Sequence, residues 1–140
     1  MTAGHPEGLP DLFLDRSLGR RQVPGLLRAA GLRLRTLAEV YGIPDDESVE
    51  DVDWLAYAGD RHWPVLMKDE RIRYRIAERE ALLAHNVKAF CLSGGNMRAA
   101  AMAEQYLRVL PAIVTACVDD GPFLYIVSRV GLRRVNVEEA

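Results

Sequence analysis

Short apolar runs that each stop at a charged or polar residue constrain this chain most. Leu12-Phe13-Leu14 stops at Asp15, Val65-Leu66-Met67 at Lys68-Asp69, and Lys88 to Leu92 at Ser93-Gly94-Gly95-Asn96. None alternates apolar with polar residues, as a strand with one wet face would. Continuous short runs predict strands covered on both faces, and such strands belong to parallel sheets with helices on either side.

The segments between the runs supply the helices. Pro24 suits a first turn, Val23, Leu26, Leu27 and Ala30 follow at helical spacing, and Gly31 suits the residue past the end. Leu32 to Leu37 alternates and predicts a second strand, completing a βαβ unit. Residues 42–50 are a polar loop with a run of acids, Asp45, Asp46, Glu47 and Glu50, expected to be solvated. Ser48, with Asp51 three residues on, is a capping-box candidate opening a helix whose inner stripe is Val52, Leu55, Ala56 and Gly59. Further helices are expected over 72–85 and 97–110, the latter capped by Asn96 and buried through Ala100, Ala103, Leu107 and Leu110. Phe123 to Val127 is the last expected strand, after an Asp119-Asp120-Gly121 turn. The expected fold is a three-layer α/β/α sandwich with a mainly parallel sheet: a flexible leader at 1–11, one domain at 12–135 and a tail at 136–140.

The chain has 140 residues, a length that fits one domain. Its net charge of -2 gives no global attraction to nucleic acid, so any such binding needs a local basic patch. Cys91 and Cys117 sit in apolar surroundings without a framework pattern and are expected to be reduced and buried. No signal-like start and no apolar stretch of about 20 residues is present, so a cytoplasmic protein is expected.

Asp15 and Asp69 both follow expected parallel strands, at the sheet edge where such folds bind ligands. Two carboxylates there repel each other, and a hard divalent cation relieves the repulsion; oxygen-only ligation suits Mg²⁺ or Mn²⁺. A third acid is expected at Asp51 or Asp53. Asp51 borders the buried side of its helix and is favoured, with Asp53 the alternative.

Leu12 to Gly19, Asp51 to Leu55 and Val65 to Asp69, in this order and spacing, resemble the PIN-like ribonuclease superfamily. The nearest group is the VapC-type toxins of toxin–antitoxin modules, and the likeness runs from about Leu12 to Leu110. It implies a PIN-like fold, metal-dependent endoribonuclease activity, an RNA substrate and an antitoxin partner. Its catalytic, metal-holding acids fall on Asp15, Asp51 and Asp69. The chain departs from the family pattern twice: Met67 stands where Ser or Thr is common, and Arg71 where many relatives carry another acid.

Around the third acid, Arg16, Lys68, Arg71 and Arg73 are the expected RNA contacts, within a wider rim that includes Arg20, Arg21, Arg75 and Arg79. The 93–96 loop offers a phosphate cradle or a plain helix-capping loop. His5, His62 and His85 lack metal-ligand spacing, and Trp54 and Trp63 are expected to pack. Phe123 to Val135 is a candidate surface for a homodimer or the antitoxin. Three other classes compete. A degenerate PIN-like module would bind RNA or protein without cutting. A receiver domain needs an acidic pair where Asp15-Arg16 stands, and a haloacid-dehalogenase phosphatase needs an Asp where Ser17 stands.

Overall fold

The apolar runs become neighbouring strands because only mutual stacking buries them on both sides. In the computed structural model, which describes residues 4–137, they form β1 (Leu12–Leu14), β3 (Val65–Met67) and β4 (Lys88–Leu92). With β2 (Leu34–Thr36), β5 (Phe123–Ser128) and β6 (Gly131–Val135) they make one sheet of order β2-β1-β3-β4-β5-β6. The first five strands run parallel and β6 runs antiparallel to β5. The chain leaves β1 toward β2 on one side and returns as β3 on the other, so strand order reverses beside β1, where α/β folds open a crevice. Leu14 pairs with Leu66, which brings the exits of β1 and β3 to one edge.

Five helices cover the sheet: α1 (Gln22–Ala29), α2 (Leu37–Tyr41), α3 (Asp51–Asp60), α4 (Ile76–Ala84) and α5 (Ala99–Ala116). Alternation within the strands divides the core in two. Leu12, Leu14, Leu66, Phe90 and Leu92 pack with α1 and α5, while Phe13, Val65, Met67, Ala89 and Cys91 pack with α3 and α4. The expected α/β sandwich is therefore present. Phe13 stacks on Trp54 at 5.8 Å between ring centroids, fixing α3 against β1. No helix among the described residues is long and apolar enough to cross a membrane. Cys91 and Cys117 form no disulfide; Cys91 is buried, Cys117 only half-buried.

Several expected details differ. Leu26 is exposed, and α1 buries Val23, Pro24 and Leu27 instead, a narrower stripe than the spacing suggests. The second strand stops at Thr36 because Thr36 caps α2: its Oγ1 accepts from Glu39 N (3.1 Å) and its N donates to Glu39 Oε1 (2.9 Å). The Ser48–Asp51 capping box does not form, since Ser48 has helical rather than extended backbone angles and closes the turn Asp45–Glu47. The acidic loop is not wholly solvated: Asp46 is buried. In α3, Trp54, Leu55, Ala58 and Gly59 are buried, whereas Val52 and Ala56 are half-buried. The 72–85 segment divides into a 3₁₀ turn (Glu70–Tyr74) and α4, leaving Tyr74 and Ile76 exposed.

α5 starts at Ala99 with Arg98 as its cap residue, not Asn96, and it continues through Pro111. Running on buries Ile113 and Ala116 against the sheet, which outweighs the backbone hydrogen bond that proline cannot make. Its buried face is Ala103, Tyr106, Val109 and Ile113; Ala100 is exposed and Leu107 and Leu110 are only half-buried. The last strand is followed by another, β6, and most apolar side chains of 123–135 are core, with Arg133, Arg134 and Val130 exposed. Near the start, Leu9 is buried, and His5 Nδ1 accepts from Arg33 N (2.9 Å) while Nε2 donates to Leu9 O (2.9 Å). Gly31 lies against Gly4; a Cβ there would stand 2.6 Å from the Gly4 Cα. Val137 is also buried.

Gln105 is buried on α5, and its Nε2 has no hydrogen-bond partner. Leucine there removes an unmet donor, so Gln105→Leu is expected to stabilise the fold by about 1 kcal/mol. The measurement is the urea midpoint at constant m-value; an unchanged or lower midpoint counts against it.

Candidate active site

Each acid reaches the edge beside β1 by a different route. Asp15 ends β1 and is 5% exposed. Its Oδ1 accepts from Ser17 N (3.1 Å) and makes a very short hydrogen bond with Ser17 Oγ. The same Oγ accepts from Lys68 N at 2.8 Å, so Ser17 ties the exit of β1 to that of β3. Burial pushes the Asp15 carboxyl up to about 7 against the lowering effect of both Ser17 bonds, and the nearby Asp51 charge adds to the rise.

Asp51 opens α3, where its carboxylate lies beside the positive end of the helix. Oδ1 accepts from Trp54 Nε1 (2.9 Å), one turn on, and from Arg16 Nη1 (3.3 Å). Arg16 is itself anchored, donating to Asp46 O and Val49 O. Asp46 stays in place because Arg20 grips both its oxygens, Nε to Oδ2 at 2.9 Å and Nη2 to Oδ1 at 2.8 Å. Those bonds hold its carboxyl below the usual range.

Asp69 follows β3 and caps the turn that begins there. Burial would raise its carboxyl, but hydrogen bonds from Arg71 outweigh it, with the charge of Arg75 helping, and hold it below the ordinary value. Oδ1 accepts from Arg71 N (3.1 Å) and Arg71 Nε (2.9 Å). Arg75 Nη1 stands between the two outer acids, 3.5 Å from Asp51 Oδ2 and 3.3 Å from Asp69 Oδ2.

One cleft of about 460 Å³ thus holds Asp15, Asp51 and Asp69 with Ser17, Lys68 and the arginines 16, 71 and 75. Asp53 is exposed and does not line it. Among the described residues, no three Asp, Glu, His or Cys side chains converge closely enough to cage an ion as they stand. The donors are nevertheless all oxygens around one cleft, and a guanidinium occupies the space between two of them. That donor chemistry suits a hard cation once the arginines swing aside.

The expected RNA contacts divide. Arg16 and Arg71 are bonded to the acids, while Arg73 lies over the Tyr74 ring, 5.1 Å from its centroid, and does not line the cleft. Lys68 Nζ donates to Gly94 O (3.3 Å) and Gly95 O (3.0 Å). The 93–96 loop therefore turns carbonyls toward the site and forms no amide cradle. Met67 is buried under the sheet, away from the cleft. Ser17 and Trp54 escaped sequence reasoning as site residues, although Trp54 had a signal in its three-residue spacing from Asp51. Arg75, expected in the wider rim, does line the cleft, but its place between Asp51 and Asp69 had no local signal.

A mostly parallel sheet whose strand-order reversal gathers three carboxylates in one cleft defines an α/β domain with an acidic site at that edge. A family model described as a PIN like domain matches residues 10–94. The chain belongs to the PIN-like domain family. It is 39% identical over 127 residues to a protein of Mycobacterium tuberculosis (strain ATCC 25618 / H37Rv) named "Putative ribonuclease VapC45", covering 91% of this chain and 92% of the relative. No solved structure matches the chain.

Proposed function

We propose that this chain is an endoribonuclease toxin of a VapC-type toxin–antitoxin module, cutting RNA with Mg²⁺ or Mn²⁺ held by Asp15, Asp51 and Asp69. The carrying observation is the meeting of those carboxylates in one cleft beside β1. Near-full-length likeness to a relative named as a ribonuclease supports the same reading. A bound divalent cation would supply Lewis acidity toward the phosphate and activation of the attacking water. The chain's own residues do the positioning. Ser17 fixes the Asp15 carboxyl, and Trp54 and Arg16 fix Asp51. Arg71 and Arg75, once displaced from the acids, lie at the cleft wall within reach of the non-bridging oxygens of a phosphodiester. An antitoxin that covers the cleft is part of this reading.

Purified protein is expected to cleave single-stranded RNA in Mn²⁺ or Mg²⁺ and to stop in EDTA. Cleavage that persists at full rate in EDTA would remove the metal from the proposal. A second reading, a binding module without catalysis, draws on one observation: Arg71 and Arg75 already neutralise Asp69, and Arg75 also meets Asp51. No cleavage under any divalent cation, with RNA binding retained, would favour it.

A further inference from the structure

A larger cleft, of about 740 Å³, adjoins the acidic one and shares Arg16 and Ser17 with it. Its walls are the turn after β1, the start of α1 and the start of α5. Arginines 16, 20, 21 and 98 line it, and no acid does. Arg16 and Arg20 are neutralised by Asp51, Asp46 and Glu47. Arg21 and Arg98 are exposed and, among the described residues, face no carboxylate within ion-pair distance. Met97 and Met102 give the cleft an apolar wall.

The contrast with the acidic cleft is instructive. There every arginine is already spent on an aspartate, which leaves little uncommitted positive charge for a nucleic-acid backbone. In the adjoining cleft the Arg21 and Arg98 guanidiniums make no ion pair among the described residues, and the first turns of α1 and α5 beside them carry no side-chain cap, so their amides add to the positive field. Arginine forks beside an apolar wall suit a chain of phosphates alternating with bases, in which each phosphate takes a fork and a base lies against the thioethers.

We propose that Arg21 and Arg98 form a phosphate-binding subsite for single-stranded RNA, leading the strand along the α1–α5 cleft into the carboxylate cleft. The inference rests on the ribonuclease reading and deepens it: it gives the substrate a path and assigns its grip to residues outside the acidic centre. Because the shared wall is Arg16 and Ser17, a phosphate held here lies along the strand from the one being cut, not at the scissile position itself.

The test is equilibrium binding of a fluorescein-labelled single-stranded oligouridylate RNA of about 12 nucleotides, a length within the usual span of such grooves. Anisotropy is read in EDTA, so that nothing is cleaved, over a series of salt concentrations. The double variant Arg21→Gln/Arg98→Gln is expected to bind about tenfold or more weakly, and its slope of log K against log salt to flatten by about 1.4, at about 0.7 per lost phosphate contact. Arg21→Lys/Arg98→Lys keeps the charges and is expected to keep the slope. Arg33→Gln, before β2 at the opposite edge of the sheet, serves as the control and should change neither quantity. Thermal melts confirm that each exposed-site variant is folded. Wild-type binding with an unchanged slope in the glutamine double variant would overturn the path while leaving the ribonuclease reading standing. Loss of slope in the lysine variant as well would also overturn it, since the contact would not be one of charge. If wild-type protein cleaves RNA in Mn²⁺ yet its binding in EDTA is insensitive to salt, the phosphate subsite falls and the activity stands. If it neither binds nor cleaves RNA, both fall.

Discussion

Asp15→Asn is expected to stabilise the metal-free protein and to abolish RNA cleavage. The gain comes from a buried charge. Burial pushes the Asp15 carboxyl up to about 7 in the folded chain against 3.8 when free. That gap means ionised Asp15 costs the fold about 4 kcal/mol at alkaline pH. A raised carboxyl favours the folded state while it is protonated. That contribution is complete below pH 3.8 and is lost as pH rises through about 7. Wild-type stability should thus fall between those limits through this group and then level off. Asparagine keeps an Oδ1 for the Ser17 bonds and carries no charge. Its advantage in melting temperature should be largest near pH 8 and should fade toward pH 4. A melting difference that does not vary with pH, or a less stable variant at pH 8, would count against this account of the site. Loss of cleavage beside a gain in stability is the trade expected where a fold holds strain for function.

Asp69→Asn should lose cleavage with almost no change in stability. Removing one carboxylate from a cation site should cost more than the roughly 10–100-fold typical of losing an outer-shell partner. Stability behaves differently from Asp15 because Asp69 is held in its charged form. Arg71, 74% exposed, and Arg75 are its counter-ions, and exposed pairs of this kind contribute at most about 1 kcal/mol. The sign is also opposite: a carboxyl held below its ordinary value adds stability at neutral pH, which is lost as pH falls through the acid range. Asparagine still accepts from Arg71 N, so the turn after β3 should persist. The decisive pairing is an RNA cleavage rate with a melt at pH 7. Wild-type cleavage by folded Asp69→Asn would remove Asp69 from the site. Two acids in one cleft should therefore respond differently to the same substitution: a clear gain in stability at Asp15 and at most a small loss at Asp69.

The sequence determined the sheet and its edge. Continuous apolar runs admit strands covered on both sides, and the residue ending each run must emerge at the strand's C-terminal end. Asp15 and Asp69 were legible for that reason, and helical geometry put Asp51 ahead of Asp53. The Thr36–Glu39 cap was also written in the sequence, but Leu32 to Leu37 alternates so regularly that a strand reading overrode it. Tertiary structure decided what those carboxylates experience. That Asp15 is buried and Asp69 only half-buried depends on how the 3₁₀ turn Arg16–Leu18 and α3 pack beside β1, which no local pattern records. Arg75 enters the cleft from the junction where the 3₁₀ turn Glu70–Tyr74 ends and α4 begins, and the buried Asp46 is gripped by Arg20 from a distant segment. α5 passes through Pro111 because the sheet face beneath rewards burial of Ile113 and Ala116 more than the missing hydrogen bond costs. Local sequence sets which groups leave which strand. Burial and charge pairing between segments remote in sequence set whether those groups are ionised, latched or free.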